Sequence, residues 1–150
     1  MLKHPLFLMI DGMSQTYRAY FAIRDALSNS QGLPTNAIYG FAIMLRRVLD
    51  KYPPDYICVA LDSPQPTGRH AQYDRYKATR KKMPADLAQQ MPYIRKFCAA
   101  MQIPVLEVPG FEADDIIATV ALKAAEQGLH PVVVTLDKDL YIKSSTRLSS

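Results

Sequence analysis

Four apolar runs, each closed by acid and separated by helical patterns, constrain what this chain can fold into. Asp11 follows the run from Pro5 to Ile10, and Asp62 follows Tyr56 to Leu61. Glu112, Asp114 and Asp115 come after Ile103 to Val108, and Asp137 and Asp139 after Pro131 to Leu136. Runs of this length read as strands of about 5–11, 56–61, 103–108 and 131–136. The intervening segments carry helix signals. Ser14 is placed to cap a helix over about 14–26. Asn36 opens a second helix with Ile38, Phe41, Leu45, Val48 and Leu49 on one apolar stripe, and Pro53-Pro54 ends it. Pro84 suits the first turn of a third, running to about Met101 with Leu87, Met91, Ile94 and Cys98 inward. A fourth spans about 112–127 and stops at Gly128. Strand alternating with helix predicts an α/β fold, a mostly parallel sheet flanked by helices. Ligands of such a sheet bind outside the carboxyl ends of its strands. Seven carboxylates gathered there would repel one another unless cations sat among them, and a pair of divalent ions meets that need.

The 150 residues suffice for one domain with its own core. No apolar run approaches the ~20 residues of a membrane span, and the short N-terminal run lacks the build of a signal peptide, so the expected setting is cytoplasmic. Cys58 on a strand and Cys98 on a helix read as buried thiols rather than a disulfide.

Taken singly, each acidic motif has an ordinary structural explanation. Glu112, Asp114 and Asp115 would favour the positive end of a helix dipole, and Asp137 and Asp139 could bound a turn. Their joint occurrence carries more weight, because Asp is depleted in strands yet ends three apolar runs. Hard ions such as Mg²⁺ or Mn²⁺ choose oxygen ligands, and two of them ~4 Å apart can clamp the attacking and leaving oxygens of a phosphodiester. The three histidines lie outside the acid motifs, and there is neither a zinc pattern nor a phosphate-binding loop of the GxxxxGK type.

Net charge is +4, and the basic residues are unevenly spread. Arg69, Arg75, Lys77, Arg80, Lys81 and Lys82 face a single acid, Asp74, inside a stretch of about 63–83 that has no clean period. Tyr73 and Tyr76 interleave with them. Rings that stack on bases beside cations that follow phosphates are the usual means of holding a single strand. Tyr17 and Arg18, just after Asp11, are expected to face the same cleft. Residues 141–150 show no pattern and read as an irregular tail.

One ordered set of residues resembles a known family. It comprises Ile10-Asp-Gly12 with Tyr17-Arg-Ala-Tyr20, Pro34 to Gly40, Asp62, Arg69, Tyr76-Lys77, Arg80, Met83-Pro84, Glu112-Ala-Asp-Asp115 and Asp137-Lys-Asp-Leu140. Together they resemble the N-terminal 5′→3′ exonuclease domain of bacterial DNA polymerases I, within the flap endonuclease family. The resemblance covers about 6–140. It implies a PIN-like (resolvase-like) domain over 1–140 with a basic arch after the second strand. It also implies a structure-specific nuclease that uses Mg²⁺ or Mn²⁺, two ions in the full family domain. The substrate class would be DNA with a 5′ flap, a nick or a single-stranded 5′ end, cut by a monomer in the bacterial cytoplasm near the nucleoid. By position, Asp11, Asp62, Glu112, Asp114, Asp115, Asp137 and Asp139 match metal-site acids. Lys77 and Arg80 match arch residues that approach the scissile phosphate. Arg69 leads into the arch, and Tyr17, Arg18, Tyr73, Tyr76, Lys81 and Lys82 would bind DNA. Gly68 stands where the family usually carries Phe. The family domain continues with further acids for the second metal and an element that grips duplex DNA, so the first metal site is expected to be complete and the second short of ligands. The alternatives are a truncated, catalytically impaired DNA-binding remnant and a PIN-type ribonuclease.

Overall fold

The computed structural model describes residues 4–23, 27–63, 83–137 and 139–144, with side chains as far as residue 135. Five strands and five helices are found among them: β1 (Leu6–Asp11), α1 (Gly12–Ala22), α2 (Asn36–Lys51), β2 (Tyr56–Ala60), α3 (Ala85–Ala88), α4 (Met91–Ala100), β3 (Val105–Leu106), α5 (Ala113–Glu126), β4 (His130–Asp137) and β5 (Asp139–Ser144). The stretch 64–82, which holds the expected arch, lies outside the described residues, as does 145–150.

The sheet runs β3-β2-β1-β4-β5. β1 pairs in parallel with β2 on one side and β4 on the other, and β2 pairs in parallel with β3. β5 turns back antiparallel to β4, with Asp137 opposite Asp139. The order reverses between β1 and β4, because the chain first grows outward through β2 and β3 and then crosses back through α5. A crevice forms at the carboxyl end of a sheet where its order reverses in this way.

Alternation along the strands divides the core between two faces. Leu8, Ile10, Val59, Leu61, Val132 and Val134 pack with Phe41, Leu45 and Val48 of α2 and Ile94 and Cys98 of α4. Met9, Cys58 and Ala60 point the other way, onto Ala113, Ile116, Ile117 and Ala121 of α5. The Asp62 carboxylate after β2 accepts the Ala113 N–H and holds the start of α5 against the sheet. This brings its N-terminus to the ends of β1 and β2.

Several expectations are corrected in detail. α1 starts at Gly12, and its cap is Asp11 rather than Ser14: the Asp11 carboxylate accepts the Ser14 N–H at 3.1 Å. The expected helix from Pro84 to Met101 is two helices, α3 and α4. Pro92, at the second position of α4, has no N–H to continue a helix from α3. The inward positions Leu87, Met91, Ile94 and Cys98 are nevertheless all buried. β3 is only two residues long, since Pro104 and Pro109 limit pairing on this edge strand. Residues 139–144, expected to be irregular from 141 onward, form β5. Their hydrogen bonds come from β4, a distant partner that leaves no local period in the sequence. Cys58 and Cys98 are buried free thiols, as expected.

Candidate functional site

Asp11 sits where β1 becomes α1, with only 6% of its surface exposed. Besides capping Ser14, its carboxylate accepts from the Thr135 hydroxyl of β4 at 3.4 Å, across the point where strand order reverses. Burial is the main reason the Asp11 carboxyl titrates above its ordinary value of 3.8. The Ser14 N–H opposes that rise, and the negative charge of Asp114 adds to it. Asp62 follows β2 and accepts the Ala113 N–H at 2.7 Å, so a residue from one strand end fixes the first turn of α5. Asp115 accepts the Glu112 N–H at 3.4 Å within that same turn.

Asp11, Asp62, Glu112 and Asp114 line one cavity of about 370 Å³, together with Met13, Ser14, Tyr17 and Ala113. Four of the seven acids singled out from the sequence therefore meet at the sheet edge. Asp115 is exposed on the flank of α5 and is not among the lining residues. Asp137 ends β4, the neighbour of β1, and Asp139 opens β5; only their backbone positions are described.

The donor chemistry of the cavity suits a hard divalent cation. Its charged lining is carboxylate, and the Asp114 charge adds to the burial that raises Asp11. Among the described residues, no group of three His, Cys, Asp or Glu side chains is gathered tightly enough to hold an ion.

Tyr17 and Arg18 do not face the same cleft. Tyr17 lines the acidic cavity, whereas Arg18 lines a separate groove between α1 and α2 with Arg47 and Lys51. Successive helical residues point ~100° apart, so adjacency in sequence separates them in space. Arg69, Tyr73, Tyr76, Lys77, Arg80, Lys81 and Lys82 lie outside the described residues. Sequence reasoning missed Thr135, although a hydroxyl inside the apolar run 131–136 was the available signal. It also missed Gln90, which is fully buried. The Gln90 side-chain carbonyl accepts the N–H groups of Ala37 and Ile38, and its amide donates to Asn36 and to the Asp86 carbonyl. One side chain thus ties the start of α2 to α3.

Comparison with known proteins bears on this arrangement. The chain is 44% identical over 132 residues to a 5′-3′ exonuclease of Aquifex aeolicus, covering 88% of this chain and 45% of that protein. It is 42% identical over 140 residues to DNA polymerase I of Bacillus subtilis, covering 93% of this chain and 16% of that one. The chain thus spans less than half of the first relative and about a sixth of the second. Among solved structures, it resembles the flap endonuclease of bacteriophage T5 in a pseudo-enzyme-product complex with DNA and metal ions. The TM-score is 0.56 at 17% identity, covering 89% of this chain and 49% of that one. T5 5′-exonuclease with bound divalent zinc superposes similarly, with a TM-score of 0.55 at 18% identity, covering 88% and 49%. At such identities the likeness concerns the fold, and it agrees with the PIN-like architecture expected. The family match runs through residue 148, beyond the stretch of about 6–140 that carried the resemblance in the sequence. With that match extending from residue 6 to residue 148, the chain belongs to the family of the 5′-3′ exonuclease N-terminal resolvase-like domain.

Proposed function

We propose that this chain is the catalytic part of a metal-dependent 5′ nuclease. It would hydrolyse DNA phosphodiesters at a 5′ flap, a nick or a single-stranded 5′ end, in the bacterial cytoplasm. The observation that carries the reading is the cavity shared by Asp11, Asp62, Glu112 and Asp114 at the carboxyl end of the sheet. Family membership supports it, as do relatives called 5′-3′ exonuclease and DNA polymerase I.

In this reading, Asp11, Asp62, Glu112 and Asp114 hold divalent cations, with Asp115, Asp137 and Asp139 completing the set from α5 and the β4–β5 turn. Two Mg²⁺ or Mn²⁺ ions, when bound, would supply charge neutralisation and an activated water. The protein's own part is positional. Asp62 and Asp115 anchor the first turn of α5 and so fix where Glu112 and Asp114 project. Ser14 and Thr135 hold the Asp11 carboxylate in one orientation. Lys77 and Arg80 are proposed to meet the scissile phosphate and to stabilise the charge that develops on it. Arg69, Tyr73, Tyr76, Lys81 and Lys82 would guide the single strand, and Tyr17 would form one wall of the mouth.

Incubating the purified chain with labelled 5′-flap DNA, single-stranded DNA and single-stranded RNA, in Mg²⁺, Mn²⁺ or EDTA, tests this. Metal-dependent release of short 5′ products from flapped DNA is expected. Preferential cutting of RNA would point instead to a PIN-type ribonuclease, and DNA binding without cleavage to an impaired remnant.

A further inference from the structure

A second cavity, of about 450 Å³, lies between α1 and α2, on a different face of α1 from the acids. Its wall is made by Arg18 from α1 and by Arg47 and Lys51 from the last two turns of α2, with Met44 and Gly40 along its length. Three cations share this one groove, whereas the charged lining of the neighbouring cavity is carboxylate. Gln15 also lines it and is only 2% exposed, yet its side-chain Nε2 has no hydrogen-bond partner among the described residues. A buried amide donor left unpaired has lost its water without compensation, so an acceptor arriving in the groove would find one donor already desolvated. α1 and α2 approach closely along the groove: a Cβ on Gly40 would stand 2.6 Å from the Ala19 Cβ.

We propose that this groove is a second phosphate-binding site, and that it takes a phosphodiester of the DNA duplex beside the strand being cut. The proposal rests on the nuclease reading for the identity of its ligand. Arg47 and Lys51 are exposed and would supply the charge, Arg18 would supply a planar fork, and Gln15 a neutral donor at the back. Position suits the role. Ser14 and Tyr17 line the acidic cavity, while Gln15 and Arg18 line the groove. Along the axis, Ser14 to Arg18 advances only ~6 Å. One short helix therefore presents a metal-binding face and a phosphate-binding face together, so DNA held in the groove is held in register with the acids.

The test is equilibrium binding of a fluorescent 5′-flap duplex in EDTA, where no cleavage occurs, as a function of salt. It compares the wild-type chain, the double variant R47A/K51A, and K123A on the exposed side of α5 as a control, with circular dichroism to check folding. The double variant is expected to bind about tenfold or more weakly. The slope of log K against log salt should be shallower by about 0.9, the value for one phosphate no longer neutralised. K123A should match wild type. Equal affinity and equal slope in R47A/K51A and wild type would overturn the proposal. So would binding of inorganic phosphate by wild type, abolished in the variant, with DNA affinity unchanged; that result would assign the groove to a free anion. The cleavage assay is independent. Groove-dependent binding without metal-dependent cutting would sink the nuclease reading and leave the groove as a DNA site, while cutting with groove-independent binding would sink the groove alone.

Discussion

Asp11 meets three demands with one carboxylate: it ends β1, caps α1 through Ser14, and shares a cavity with Asp62, Glu112 and Asp114. The cap would hold for Asn as well as Asp, so the charge itself is what the metal reading needs. Burial and the Asp114 charge raise this carboxyl above its unfolded value of 3.8. A raised carboxyl makes ionisation unfavourable to the fold. The cost is absent below about pH 3.8, grows as pH climbs through the native titration, and is complete above it. Asp11→Asn should therefore raise the melting temperature of the metal-free protein at neutral pH, with the gain vanishing in acid. It should also diminish the stabilisation that added Mg²⁺ gives the wild type, which follows from binding to the native state alone. Melting curves with EDTA and with Mg²⁺ check both. The cysteines give a second residue-scale expectation. Burial pushes the Cys58 thiol up to about 12 and that of Cys98 to about 11. In the native protein near pH 8, both should react with a disulfide reagent roughly a hundredfold or more slowly than a free thiol titrating near 8.5. Denaturant should restore ordinary reactivity.

The helices and strands show which signals a sequence carries at the scale of elements. α2 and α5 were legible because each buries a continuous stripe, Phe41, Leu45 and Val48 in one case and Ala113, Ile117 and Ala124 in the other. The break between α3 and α4 was not, because Leu87, Met91, Ile94 and Cys98 keep helical spacing across it and are all buried. Pro92 and the buried Gln90 were the only local signs. Gln90 satisfies two N–H groups at the start of α2, so Gln90→Ala would leave those donors short of a partner inside the core. Its cost should be about 2 kcal/mol in denaturant unfolding, without direct effect on the acids. The junction between β1 and α1 makes a stricter demand. A Cβ on Gly12 would stand 2.8 Å from the Ala60 carbonyl oxygen and 2.6 Å from Leu61 Cδ2. The carbonyl belongs to a paired strand and cannot easily retreat, so Gly12→Ala should cost about 1–3 kcal/mol. It should also shift Asp11 and lower metal-dependent activity beyond what the stability loss explains.

For the whole molecule, the strand order supplies what no single motif does. Parallel pairing of β1 with both β2 and β4 brings residues 11, 62, 112 and 114, distant in sequence, to one edge. Their convergence was legible from the sequence because Asp11 and Asp62 close apolar runs and Glu112 and Asp114 open the helix that follows a third, and a parallel sheet puts those ends on one side. The separation of Tyr17 from Arg18 follows from the ~100° step between successive residues of α1, whereas the groove that Arg18 joins was not legible, since it is formed by α2 packing beside α1. Nor was β5, whose ladder belongs to β4. Cleavage of a 5′-labelled flap duplex by wild type, Asp62→Ala and Asp114→Ala, each with Mg²⁺ and with EDTA, tests the proposed nuclease site most directly. The expected result is cutting by wild type only with metal, and a loss of at least about a hundredfold in each variant with the fold preserved. Cutting in EDTA, or undiminished cutting by both variants, would contradict the assignment of this cavity as a metal-dependent nuclease site.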